Sequence, residues 1–236
     1  MSAPAPGGRR LVIAATSCAD AESALAFASQ LLTEGPRRLA GVMFDEGMAA
    51  LAVSPAQRLV SVGGGLRALP DAKAARLWSR GEARGFRESL AALAEGLAAE
   101  WSFETAAGDM VAGACAALGR DDLLLLGHRP LWRMTGPVLL IGSGGGADAS
   151  RALAAALARA RSTTVAEVPA AGPAETLGRL ERSHAAAVVV DTAAGPFRDA
   201  AALRMLFAAA RCPVAVLGGG RMRDGTGWQA AKGADR

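Results

Sequence analysis

Tyrosine is missing from this 236-residue chain, and aromatic residues make up only 4% of it. A hydrophobic content of 51% must therefore build a core mainly from Ala, Leu and Val, without large rings as anchors. Cysteine is scarce and odd in number: Cys18, Cys115 and Cys212 offer neither a CxxC nor a zinc spacing. That excludes a disulfide framework and predicts reduced thiols serving as small core residues. The histidines are His128 and His184, far apart, so triad and metal chemistry have little material and no enzymatic activity is expected. The lysines are Lys73 and Lys232, so the net charge of +4 rests on arginine interleaved with acids. With no basic block, a nucleic-acid partner is not expected. No apolar run approaches the roughly 18 residues that span a bilayer. The opening MSAPAPGGRR has no apolar signal region, which predicts a soluble, cytoplasmic protein without a membrane partner.

What the chain does contain is internal repetition. Leu11–Ala28 (LVIAATSCADAESALAFA) aligns without a gap on Leu139–Ala156 (LLIGSGGGADASRALAAA), sharing Ala-Asp-Ala and Ala-Leu-Ala. A second ungapped match starts with Ala106–Gly108 on Ala170–Gly172 and runs on until Leu123–Leu126 meets Ala187–Val190. Strand pattern, loop and helix start fall in step in both, which an Ala-rich composition does not require.

Apolar runs alternate with helical periodicity along the chain. Strands are predicted at 10–15, 38–44, 101–106, 122–126, 137–141, 164–168, 186–190 and 213–217, with an edge strand at 58–62 ended by Gly63-Gly64-Gly65. Helices are predicted after Asp20 (as cap) to Gly35-Pro36, over 71–99 with a kink at Gly85, and over 109–118, 148–160, 173–183 and 197–210. This alternation implies βαβ units and parallel sheets flanked by helices, an α/β fold. The expected organisation is a flexible arm (1–9), a first unit (10–135), a second, shortened unit (136–217) and a flexible tail (218–236). Ligands of such sheets sit beyond the carboxyl ends of the strands.

These passages resemble the universal stress protein family. Its unit opens with a strand and a small-polar loop, as in LVIAATSCADAESAL and VLLIGSGGGADASRAL. A strand-Gly-helix passage precedes its fourth strand, as in WSFETAAGDMVAGACAALGRDDLLLLG, and it closes like FAAARCPVAVL. The resemblance covers most of residues 10–217 and implies two tandem HUP/Rossmann-like units in a pseudo-twofold arrangement. The first lacks the final helix and strand, leaving an edge to be covered. Many family members bind ATP through a Gly-x2-Gly-x9-Gly-Ser/Thr stretch after the fourth strand. Here Gly127 keeps the first position but Pro130 takes the second, while Asp191 replaces the first glycine of the second unit. Small residues, Ala14-Ala15 and Gly142-Ser143, stand where family ATP binders often carry an acid. The resemblance thus implies degenerate or absent nucleotide binding, with ATP or AMP as the ligands to test.

Ser143, Gly144, Gly145 and Gly146 form the leading anion-binding candidate, because successive N–H groups before a helix start can cradle an anion. The stretch also looks like the SGGxDS loop of PP-loop pyrophosphatases with one extra residue before Asp148. Its bland alternative is a strand–helix turn. Thr16 and Ser17, beside Cys18, occupy the equivalent place in the first unit and serve either a ligand or a local cap. Gly127 and His128, beside Arg129, follow a strand end and complete the candidate set; the bland reading of His128 is a solvated linker. His184 precedes its strand and is read as structural, and Asp191-Thr192 as a local cap. The expectation is a non-catalytic, tandem universal-stress-like protein with a regulatory or stress-related role. A small nucleotide or anion, a second copy or a protein partner would be its associates. The alternatives are an interaction scaffold without ligand and a PP-loop-type enzyme.

Overall fold

Five consecutive residues of the first strand, β1 (Leu11–Ala15), are buried. A continuous apolar run of this kind marks a strand covered on both faces. The same holds for β6 (Leu123–Leu126), β7 (Val138–Ile141) and β10 (Val214–Leu217). The computed structural model describes residues 9–34, 37–45, 58–60, 66–68, 72–119, 121–128, 136–142, 148–169, 172–193 and 195–218. The remaining strands are β2 (Arg38–Asp45), β3 (Arg58–Val60), β4 (Leu66–Ala68), β5 (Glu100–Ala107), β8 (Val165–Val168) and β9 (Ala187–Asp191). The helices are α1 (Cys18–Glu34), α2 (Ala72–Gly96), α3 (Met110–Ala117), α4 (Asp148–Ala160), α5 (Pro173–Glu181) and α6 (Ala200–Ala210).

Eight strands form one sheet in the order β5-β2-β1-β6-β10-β9-β7-β8. Every neighbouring pair is parallel except β6–β10, where Val214 faces Leu126 and Val216 faces Leu124. The two sheets expected from the sequence are therefore continuous. The edge of β6 that was expected to need cover is filled by β10, which satisfies its backbone groups. The predicted edge strand at 58–62 takes another course: β3 pairs with β4 as a separate antiparallel hairpin. So short a connection reaches only an antiparallel neighbour.

Helices cover both faces. Phe27, Leu31 and Leu32 of α1, Phe86 and Leu90 of α2 and Leu153 and Leu157 of α4 pack on one side, over Ile13, Leu125, Leu140 and Val189. Met110 and Cys115 of α3, Leu180 of α5 and Leu203 and Leu206 of α6 pack on the other, over Val12, Leu126, Ile141 and Val216. Both layers run across the β6–β10 seam without interruption. On the first face the Arg161 guanidinium also lies 5.5 Å from the centre of the Phe27 ring. α2 runs without a break through Gly85, the position of the predicted kink, and Gly85 faces the Cys18 thiol, where an added Cβ would lie 3.0 Å from the sulfur. α6 begins at Ala200, later than the predicted 197, because the Asp199 carboxylate accepts from the Ala202 N–H at 2.8 Å and caps it.

β6 lies beside β1 on the side away from β2, and β9 lies beside β7 on the side away from β8. The second section has no match for β2 and α2 among its described residues, so β8, aligned in sequence with β5, sits directly against β7. Because β6 and β10 are antiparallel, the two sections point in opposite directions. The carboxyl ends of β1 and β6 are at one rim of the sheet, and those of β7, β9 and β10 at the other.

Candidate functional site

Thr16 and Ser17 leave the end of β1 and enter α1, and their hydroxyls are already engaged. Thr16 Oγ1 donates to Asp20 Oδ2 at 2.9 Å and Ser17 Oγ donates to the same oxygen at 2.6 Å. Ser17 Oγ in turn accepts from the Asp20 N–H at 3.1 Å. Ser17 is thus the capping residue, the local-cap reading offered for it, and Asp20, also read as the cap, is instead its reciprocal partner three residues on. The aspartate position looked like a cap because both residue types serve there; only the hydrogen-bond pattern tells them apart.

The parallel pairing of β1 with β6 brings Gly127 and His128 to this corner. The Gly127 N–H donates to the Ala14 carbonyl at 2.8 Å, and its α-carbon stands against the first turn of α1. The His128 N–H donates to Ser23 Oγ at 3.1 Å, while Ser23 donates to the Asp20 carbonyl at 2.6 Å. The His128 ring lies 5.2 Å from that of Phe207 on α6. Four of the sequence candidates (Thr16, Ser17, Gly127 and His128) therefore do meet, at the point where strand order reverses. Ser23 and Phe207 join them without a sequence signal, and Asp20, read from the sequence as a helix cap, joins them as an acceptor. Ser143, Gly144, Gly145 and Gly146 lie outside the described residues, as do Arg129, Pro130 and Gly63–Gly65. Gly142, which precedes the glycine run, follows β7 at the opposite rim.

That opposite rim holds a cavity of about 350 Å³. Asp191, Ala193, Leu217 and Gly218 line it from the ends of β9 and β10, and Ala149 from the first turn of α4. Arg9, Asp121 and Asp122 line it from across the seam, at the starts of β1 and β6. Asp191 Oδ1 accepts from the Ala193 N–H at 2.9 Å, the local cap the sequence suggested. Asp122 is held by Arg10, with Nη2 at 2.6 Å and Nε at 3.0 Å. Arg9 and Asp121 escape a sequence reading because only the antiparallel seam carries them to the second section's strand ends.

No thiol is activated. Burial pushes Cys115 and Cys212 up to about 12. Cys18, at the start of α1, is raised by burial first and then by the Glu22 and Glu82 carboxylates. At about pH 7.5 iodoacetamide is expected to alkylate Cys18 more slowly than glutathione, with Glu82→Gln speeding the reaction. A rate above that of glutathione, measured by mass spectrometry of the labelled peptide, would contradict this. Among the described residues no group of His, Cys, Asp and Glu is arranged to hold a metal ion. No helix among them is long and apolar enough to cross a membrane. Comparison with protein-family models and with curated protein sequences yields no match to this chain.

Proposed function

We propose that the chain is a non-catalytic, tandem universal-stress-like protein with a regulatory or stress-related role, in which the first nucleotide site has been given over to internal packing. One observation carries this: the polar groups at the β1 and β6 ends are spent on one another. Asp20 takes both hydroxyls of Thr16 and Ser17, and Ser23 takes the His128 N–H. A phosphate arriving there would have to displace those bonds and meet the Asp20 carboxylate. The pseudo-twofold relation of two units is supported by the matching places of β1-α1-β6 and β7-α4-β9 about the antiparallel seam.

Thermal unfolding and isothermal titration with ATP, ADP and AMP test the proposal. A ligand that binds only the native state stabilises it by RT ln(1 + [L]/Kd), so at about 1 mM nucleotide a shift below about 1 °C is expected. A micromolar ATP dissociation constant that Thr16→Ala or His128→Ala weakens would overturn it.

A further inference from the structure

We propose that the cavity at the β6–β10 seam binds a small ammonium-bearing molecule, with Asp191 and Asp121 as counter-ions to its cationic head. The inference rests on the two-unit reading, because its force comes from comparing equivalent places in the two sections. In the sequence repeat Gly127 aligns with Asp191, and Ala21 aligns with Ala149. In the first section that corner is shut: a Cβ on Gly127 would lie 2.8 Å from the Asp20 carbonyl carbon and 3.3 Å from the Ala21 nitrogen. In the second section Asp191 and Ala149 instead line an open space of about 350 Å³. A side chain in place of hydrogen at the strand end accompanies an open corner, at the rim where open α/β sheets hold their ligands.

The charges select the ligand. Asp122 is neutralised by Arg10. Among the described residues that line the cavity, this leaves Arg9 with two carboxylates, Asp121 and Asp191, an excess of one negative charge. One oxygen of Asp191 accepts from Ala193, and among the described residues the other carries no hydrogen bond. A triphosphate is repelled by this set, whereas an ammonium group gains charge-assisted hydrogen bonds. The volume lies at the small end of metabolite pockets, which run from about 300 to 1,000 Å³. Arg9 remains for a carboxylate, should the molecule carry one.

Titration of the full chain with putrescine, γ-aminobutyrate, succinate and ATP, at low ionic strength by calorimetry, tests this. Putrescine is expected to bind saturably, one per chain, and succinate and ATP are not. Asp191→Asn keeps the acceptor for the Ala193 N–H and is expected to weaken putrescine by about tenfold or more. Ala149→Leu, which fills the cavity without touching charge, should do the same, and both variants are checked for an unchanged unfolding midpoint. If Arg9 engages a carboxylate, Arg9→Gln weakens γ-aminobutyrate and spares putrescine; if γ-aminobutyrate binds no better than putrescine in both chains, the ligand is a simple amine. Either pattern supports the proposal. No saturable ammonium binding up to about 10 mM, or binding that Asp191→Asn and Ala149→Leu leave intact, overturns it. Silence from every probe removes this inference alone, whereas ATP binding at the β1–β6 corner removes the reading of the first site.

Discussion

Asp122→Ala is expected to lower unfolding stability by about 2–3 kcal/mol, measured by urea denaturation with an unchanged m-value. Asp122 is the one buried charged residue among those described, and its carboxylate joins three elements. It accepts from Arg10 Nη2 at 2.6 Å, Arg10 Nε at 3.0 Å, the Arg10 backbone N–H at 3.2 Å and the Gly119 N–H at 2.8 Å. The same Nη2 donates to the Ala117 carbonyl at 3.0 Å, so the start of β1, the start of β6 and the end of α3 meet here. Alanine removes every acceptor at once and leaves a partly buried guanidinium without its counter-charge. A fully buried pair broken this way costs about 3–5 kcal/mol, and the figure is reduced because the Arg10 side chain is 34% exposed. Asp122→Asn, which keeps an acceptor but not the charge, should lose about half as much. A double-mutant cycle with Arg10→Met isolates the pair. A loss within about 0.5 kcal/mol for the alanine variant would mean the junction is held by the apolar layers alone.

Gly127→Val should be more damaging still, on the order of 3–4 kcal/mol, because no side chain fits at the end of β6. Even a Cβ would stand closer than van der Waals contact to the Asp20 carbonyl oxygen, and 2.8 Å from its carbon. The obstruction is the backbone of a helix's first turn, pinned by the Ala21 N–H to Ser17 carbonyl bond of 3.0 Å, so it cannot swing aside as a flexible side chain would. Gly127 is not among the glycines at positive φ, so the demand is for space and not for a left-handed backbone. Differential scanning calorimetry should show a fall in Tm on the order of 5–10 °C. The same measurement separates two roles for this residue. A glycine kept only for phosphate approach would lose nucleotide affinity on substitution and retain its melting temperature.

Much of the architecture was legible in the residue pattern, for identifiable reasons. The runs LLLL, VLLI and VAVL are too apolar to be anything but doubly covered strands, and each was placed within a residue of its observed bounds. Alternation of such runs with amphipathic segments decides an α/β sheet, since only a crossover helix connects parallel neighbours. The resemblance implied an edge after the fourth strand needing cover, and β10 pairs with β6 there. Less was legible at the candidate site. Thr16, Ser17, Gly127 and His128 could be nominated because strand ends and small polar residues are local features.

The Thr16 and Ser17 hydroxyls go to Asp20, a local partner four and three residues on, within reach of the local-cap reading. The role of Gly127 was decided by tertiary structure: a glycine suggestive of phosphate is occupied by the turn of a helix more than a hundred residues earlier. The antiparallel β6–β10 pairing was likewise beyond a linear reading. Register between distant strands depends on which edge remains unsatisfied once all the others have paired. That single pairing makes one sheet from two expected ones, turns the carboxyl ends of the two sections' strands to opposite rims, and carries Arg9 and Asp121 to a cavity lined by Asp191. Local sequence decided which segments are strands and helices through hydrophobic period and capping. The assembly of charges around the open corner came from long-range backbone pairing, which no window of neighbouring residues encodes.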